Sequence, residues 1–317
     1  MKRILELDFL KGILILLVIS FHLVYFEQLH PYAKQVVYAF HMPGFLLISG
    51  YLMNVGKAPK DFLRTLLWLA VPYIVMESGY IYMASLLPIN EHIDHLTPAV
   101  FLDRLLLHPL GPYWYLHTLI ICGGIYYLIQ NSKFKIQNSK LSFFVRVLML
   151  GLAYYILTLL PLKGVGGSFY FLAGAAIRQS GKDFITIFTP FKGNWGILSP
   201  IIFILLILPQ WSIVNSQWSM VIVYFAISSL LWLYRITPPK GGRGVLFLGR
   251  NSLPLYVFSP IFTILCKRFV PYLQFDPTGL IFLLVSLVFC VSGSLAIAWA
   301  MDKTGISRYF FGRKAVN

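Results

Sequence analysis

Apolar residues gather along the chain into ten runs, at 9–26, 36–53, 62–87, 113–130, 144–161, 167–177, 196–209, 218–234, 253–271 and 278–301. A hydrocarbon slab ~30 Å thick requires ~20 residues of α-helix, and several runs approach that length. The pattern predicts an all-α integral membrane protein of about ten transmembrane helices, with 167–177 and 196–209 the weakest of them. The polar stretches between runs carry a second pattern. With a cytoplasmic N-terminus, every one of the 26 Lys and Arg falls on the inner side except Lys34, Arg104, Lys163, Lys267 and Arg268. That asymmetry satisfies the positive-inside rule loop by loop and puts both termini in the cytoplasm.

Composition then removes alternatives. At 58% hydrophobic and 12% charged residues, with mean hydropathy +0.75, the chain is no soluble enzyme. A formal net charge of +15 would suit a nucleic-acid partner. Its cations, however, lie between apolar runs and not on one face, so they report topology and predict no nucleic acid. Cys122, Cys266 and Cys290 fall in or near apolar runs, which reads as packing and not as a disulfide framework. The first run follows a basic N-terminus, as a secretory signal would. No small-residue cleavage site follows it, and 27–34 lead directly into the second run. With no internal repeat visible, residues 1–317 read as a single polytopic membrane domain.

Polar side chains within spans cost ~2.5–3.5 kcal/mol each at the bilayer centre, so they are the candidates for chemistry. Lys11 and His22 are eleven residues apart, which on a continuous helix puts them within ~20° of one face and ~16 Å apart along the axis. Asp8 precedes Lys11 by three residues, close enough for an ion pair. A snorkelling Lys and a packed His stand level with a functional reading. His41 precedes Pro43, whose missing N–H predicts a kink, and Gly44, which admits a close neighbour. Glu77 is the one carboxylate well inside a span. Its depth matches that of His22, so the two read as an acid–base pair with the carboxylate orienting the imidazole; the other reading is a satisfied, protonated structural group.

Three further segments carry weaker signals. Tyr113 and Tyr115 flank Trp114 at an outer interface and read as an aromatic belt. The loop Glu91-His92-Ile93-Asp94-His95 holds metal-capable ligands with no second cluster to close a coordination sphere, so no metal is expected. Lys240-Gly241-Gly242-Arg243-Gly244 combines cations with open backbone N–H groups suited to phosphate. No strand precedes it, and a positive-inside turn is the competing reading.

Taken together, these segments resemble acyltransferase family three, integral membrane proteins that O-acylate surface sugars. The stretch Leu7-Asp8-Phe9-Leu10-Lys11-Gly12 with His22 is similar to that family's signature of a basic residue, ten others and a His. Lys11 stands where most members have Arg. His41-Met42-Pro43 with Ser49-Gly50-Tyr51 resembles a second motif, and Arg64 with Pro72-Tyr73 a third, in which a second Arg is missing around Leu67 and Trp68. Tyr113-Trp114-Tyr115-Leu116 and Gly249-Arg250-Asn251-Ser252-Leu253-Pro254-Leu255-Tyr256 resemble its aromatic and late motifs, the latter with Ser259 where a His is common.

The resemblance implies a cytosolic acyl-CoA donor, by family frequency acetyl-CoA, and a sugar hydroxyl of a surface or lipid-linked glycan as acceptor. It also implies an inner (plasma) membrane location, multi-pass, beside glycan synthesis or export machinery. On that basis His22 is the candidate general base with Glu77 orienting it. Lys11, Arg64 and Arg243 are candidates for the donor phosphates, and His41, Trp114 and Asn251 for the acceptor. Direct transfer and an acyl-His intermediate both fit. Two other classes compete: a polysaccharide or small-molecule exporter, and a non-catalytic partner of a glycan synthase.

Overall fold

Proline and small polar residues set where the helices begin. Pro59, Pro98 and Pro239 each open a helix at a position whose N–H has no intrahelical partner in any case. At the second of these, the Thr97 hydroxyl accepts the Val100 N–H at 3.2 Å, a conventional N-cap. The structure, a computed structural model, describes residues 3–87, 91–132, 139–160, 162, 164–208 and 218–316. Lys2, Lys133, Lys135 and Lys163, and the ends of the expected spans at 161 and 209, lie outside the described residues.

In chain order the helices are α1 (Leu5–Ser20), α2 (Val24–Leu29), α3 (Pro31–Leu52), α4 (Pro59–Leu86), α5 (Pro98–Leu106), α6 (Trp114–Gln130), α7 (Ser139–Leu159) and α8 (Ser168–Gln179). There follow α9 (Phe184–Ile187), α10 (Leu198–Leu206), α11 (Ser219–Ile236), α12 (Pro239–Arg250), α13 (Ser252–Leu265), α14 (Val270–Leu273), α15 (Leu280–Lys303) and α16 (Ser307–Phe310). No strand occurs among the described residues, so the fold is all-α, as the apolar pattern predicts. Among the described residues, five helical stretches are long and apolar enough to cross a bilayer: Pro59–Leu86, Leu141–Leu159, Ser219–Ile236, Ser252–Leu273 and Leu280–Lys303. Their outward faces are apolar too. Phe144, Leu148, Leu152 and Leu159 of α7 are each more than half exposed, as lipid-facing side chains are.

The chain divides into two compact units. The first comprises residues 1–45, 183–308 and 313–317. Its centre is α1, where Leu7, Phe9, Leu10, Leu14, Ile15, Val18 and Ile19 are all buried, as expected of a helix that is apolar all round. Helix α12 crosses it closely: a Cβ on Gly12 would strike the Val245 carbonyl, and one on Gly249 the Asp8 carbonyl. The thiols of Cys266 and Cys290 are buried 3.7 Å apart, packed between α13 and α15. The second unit comprises residues 46–182 and 309–312. There Gly50 of α3 faces the Phe171 carbonyl of α8 while Gly174 of α8 faces the Leu47 carbonyl, a reciprocal glycine contact. The Tyr154 hydroxyl donates to the Cys122 carbonyl at 2.9 Å and ties α7 to α6.

Several expected elements need correction. The first run is not one helix. The ladder stops at Ser20 and resumes at Val24; at the break the Ser20 hydroxyl and the His22 Nδ1 bond back to the carbonyls of Leu16 and Val18 at 2.8 and 2.7 Å. The His22 and Leu23 N–H groups tighten to i−3 bonds across the break. Lys240 to Gly244 is not a turn but the first half of α12, held helical by its apolar second half against α1. Tyr113 and Tyr115 are buried and not in an interfacial belt: Tyr113 packs edge-on to Tyr80, and the Tyr115 hydroxyl pairs with that of Ser49 at 2.7 Å. Pro43 lies within α3, whose helical run continues through it.

Candidate active site

At the Lys11 end of α1, in the first unit, a single buried carboxylate gathers cations. Asp8 accepts the Arg3 Nε at 2.6 Å and the Lys11 Nζ at 2.9 Å, and the Arg250 Nε lies 3.9 Å away. The expected Asp8–Lys11 pair is present, and Arg3 and Arg250 are additions to it. Three cations around one carboxylate leave a positive excess where anionic oxygens can bind. Asn251 is fully buried at the junction of α12 and α13, its Nδ2 donating to the Phe247 carbonyl at 2.8 Å. Arg243 is exposed on the first half of α12.

The other end of α1 holds the histidines. His22 sits in the break between α1 and α2, and His41 on α3. Each Nδ1 lies 2.7 Å from the carbonyl four residues before it, Val18 for His22 and Val37 for His41. A carbonyl only accepts, so each neutral ring carries its proton on Nδ1 and its lone pair on Nε2. The His41 Nε2 is buried with no hydrogen-bond partner among the described residues. The Tyr38 ring neighbours both, its centroid 6.3 Å from that of His22 and 5.0 Å from that of His41. Its hydroxyl donates to the Phe21 carbonyl at 3.0 Å, which pins α3 to the break beside His22. Lys34 pairs with Glu27 at 3.1 Å and sits 5.4 Å over the Tyr38 ring. Just beyond His41, a Cβ on Gly44 would come within 3.2 Å of Ile227 and 3.3 Å of Leu14, the close approach its sequence suggested.

In the second unit several polar groups face backbone. Glu77 of α4 is fully buried and its Oε1 accepts the Leu110 N–H at 2.5 Å. Glu91 accepts the neighbouring Gly111 N–H at 2.6 Å. Gly111 has φ +54° with the Tyr80 ring packed on it, a place for glycine alone. The Tyr73 hydroxyl and the His117 Nε2 hold the last carbonyls of α5, Leu105 and Leu106, at 2.5 and 2.9 Å. Trp114 begins α6 directly after this turn, with Gly164 (φ +88°) lying against its ring. Arg64 is exposed on the second turn of α4. The partner expected of His22, Glu77, thus has its Oε1 on a backbone N–H, and the carbonyl of Val18 meets the His22 Nδ1.

The structure adds Arg3, Arg250 and Tyr38 to the residues singled out from sequence. Tyr38 was legible in principle, since it lies one helical turn before His41 on the same face. Arg3 and Arg250 reach Asp8 from beyond one helical turn and from a distant segment, which spacing along α1 does not reveal.

Residues 4–299 match the family model described as an acyltransferase domain, which makes this all-helical membrane protein an acyltransferase in class. The match runs from the Asp8 cluster through the histidines to α15. The chain belongs to acyltransferase family three. Among curated proteins it is similar to Nodulation protein NolL of Mesorhizobium japonicum (strain LMG 29417 / CECT 9101 / MAFF 303099), 45% identical over 69 residues. That stretch covers 19% of this chain and 18% of the nodulation protein, so the chain spans under a fifth of that relative. No solved structure matches.

Proposed function

We propose that the protein transfers an acyl group, by family frequency acetyl, from cytosolic acyl-CoA to a sugar hydroxyl of a surface or lipid-linked glycan. The observation that carries this reading is the geometry of His22, whose Nδ1 is engaged by its own helix so that Nε2 offers a lone pair. In the proposed step Nε2 takes the proton of the sugar hydroxyl as its oxygen attacks the thioester carbonyl. The C–O ester bond forms, the C–S bond breaks, and the proton passes to the departing thiolate, regenerating the imidazole. Lys11 and Arg243 supply positive charge for the donor phosphates, and Arg64 carries the same assignment.

His41 and Trp114 are assigned to the acceptor, as an imidazole and an aromatic face that suit a sugar. Asn251 and Glu77 act as positioning residues. Asn251 secures the α12–α13 junction next to Arg250, and Glu77 secures the turn that delivers Trp114. The family favours a plasma (inner) membrane location, and the distribution of Lys and Arg favours about ten spans with both termini inside.

The test compares cells with no gene, the intact gene and His22→Ala, measuring ester content of surface glycan by mass spectrometry alongside total exported glycan. Loss of esters with export intact in both the null and His22→Ala cells is expected. Failed export with esters retained on the residual glycan would replace transfer by transport.

A further inference from the structure

Beyond the last residue matched by the family model, the chain builds a second cationic feature. A cavity of about 320 Å³ is lined by Asp302, Lys303, Thr304, Gly305, Ser307, Arg308 and Lys314. Three segments contribute to it: the end of α15, the turn into α16, and the C-terminal tail. The tail is folded back by Asp302, whose Oδ1 accepts the Ala315 N–H at 2.7 Å and whose Oδ2 accepts the Val316 N–H at 3.0 Å. Each carboxylate oxygen accepts a backbone N–H, and this clasp returns Lys314 to the neighbourhood of Lys303 and Arg308. None of these three cations forms an ion pair within 4.0 Å among the described residues. The three cations outnumber the one carboxylate that lines the hollow, Asp302, whose charge Lys314 feels, so a positive excess remains that an anion in the hollow would meet.

The surroundings state the depth of the cavity. Trp299, one turn earlier on α15, is 59% exposed, and the Lys303 Nζ stands 5.6 Å over its ring. An outward-facing Trp with a Lys beyond it is the arrangement of the bilayer interface, where headgroups lie. Ile306, in the turn itself, is 50% exposed and adds an apolar surface beside the cations.

We infer that this clasped cavity at the end of α15 is a binding site for a phosphate group, with Lys303, Arg308 and Lys314 as its cations. A phosphate offers enough oxygens and charge to meet two ammonium groups and a guanidinium together. That chemistry is shared by anionic lipid headgroups and soluble phosphates, and the exposed Trp299 and Ile306 favour the lipid. The site is independent of the acyl-transfer reading, since it uses none of the residues assigned there.

The experiment is native mass spectrometry of the intact protein in detergent with phosphatidylglycerol, repeated with excess inorganic phosphate as competitor. Lys303→Gln/Arg308→Gln/Lys314→Gln should weaken binding about a hundredfold, at roughly 1 kcal/mol per surface cation. Lys60→Gln/Lys182→Gln/Lys192→Gln, which removes the same charge from other exposed positions, should bind as the parent does. Asp302→Ala separates a built site from general attraction. It makes the protein more positive yet releases the clasp, so a built site predicts weaker binding and general attraction predicts stronger. Lys314→Glu keeps the clasp, so the site stays testable if Asp302→Ala fails to fold, and it too should weaken binding. Displacement by inorganic phosphate identifies a soluble ligand, and resistance to it a lipid headgroup. Equal losses in both triple variants, or undiminished binding by Asp302→Ala and Lys314→Glu, would overturn the inference.

Discussion

Glu77 and Glu91 in the second unit, and His22 and His41 in the first, are polar pairs inside a mostly apolar protein, yet they spend their hydrogen-bonding capacity differently. Glu77 reaches from α4, and Glu91 from the loop before α5, to a backbone N–H of one turn, Leu110 and Gly111, and so they fix that loop. Each imidazole turns inward to a carbonyl of its own helix, through Nδ1, and leaves Nε2 for something else. The lesson is that intramembrane cost alone does not mark a reactive group. The bond to a distant backbone N–H gives Glu77 a structural task, and the local bond of each imidazole accounts for one ring nitrogen only.

Substitutions can break or sharpen this contrast. The largest effect is expected from His22→Gln, which removes the basic nitrogen and should slow acyl transfer by about 10²–10⁴-fold with little change in thermal unfolding. Full turnover by that variant would end the base assignment. Next comes Glu77→Ala, which strands the Leu110 N–H and should cost about 1–3 kcal/mol of stability, read as a lower unfolding temperature. Glu77→Gln retains an accepting oxygen and should keep both fold and turnover. If it folds normally but fails to turn over, Glu77 belongs with the histidines and the contrast collapses. Gly111→Ala sits at the same turn and should cost about 1–2 kcal/mol for the left-handed backbone alone, before the Tyr80 ring moves aside.

The smallest effect concerns Asp276, which is exposed ahead of α15 and accepts the Ile281 and Thr278 N–H groups at 2.9 Å. The Ile281 N–H foremost, with the Thr278 hydroxyl, holds its carboxyl below the ordinary value of 3.8. A depressed acid stabilises the fold above its unfolded pKa and loses that contribution as pH falls through the folded one. Acid titration of unfolding should therefore show a small loss below about pH 4 that Asp276→Asn removes.

Much of the fold was legible because apolar runs of membrane length do become helices, as α4, α11 and α15 do. What escaped shares one cause: it depends on backbone groups that are the same at every position. The break before His22 has neither Pro nor Gly to announce it, and the side-chain bonds to the Leu16 and Val18 carbonyls found there leave no mark in the sequence. Gly241 and Gly242 argue for a turn by propensity, and packing of the following residues on α1 overrides them. The partner of Glu77 is an amide of Leu110, which no spacing of side chains can reveal. Helix α5, by contrast, was readable from Thr97-Pro98 as a cap followed by a first-turn proline. At the candidate site, the Asp8–Lys11 pair followed from helical spacing, while the Arg250 that joins it comes from far along the chain.

The glycine crossing of α1 and α12 has a mechanical meaning. A joint where backbone meets backbone, with Gly249 resting on the Asp8 carbonyl and Gly12 on that of Val245, leaves little side chain between the helices beyond the Val245 methyl to absorb a displacement. A push on α12 therefore reaches α1 undamped. If the cations of α1 and α12 hold the donor phosphates as proposed, their pull acts on the same rod that ends just short of His22, which links grip at one end to alignment at the other.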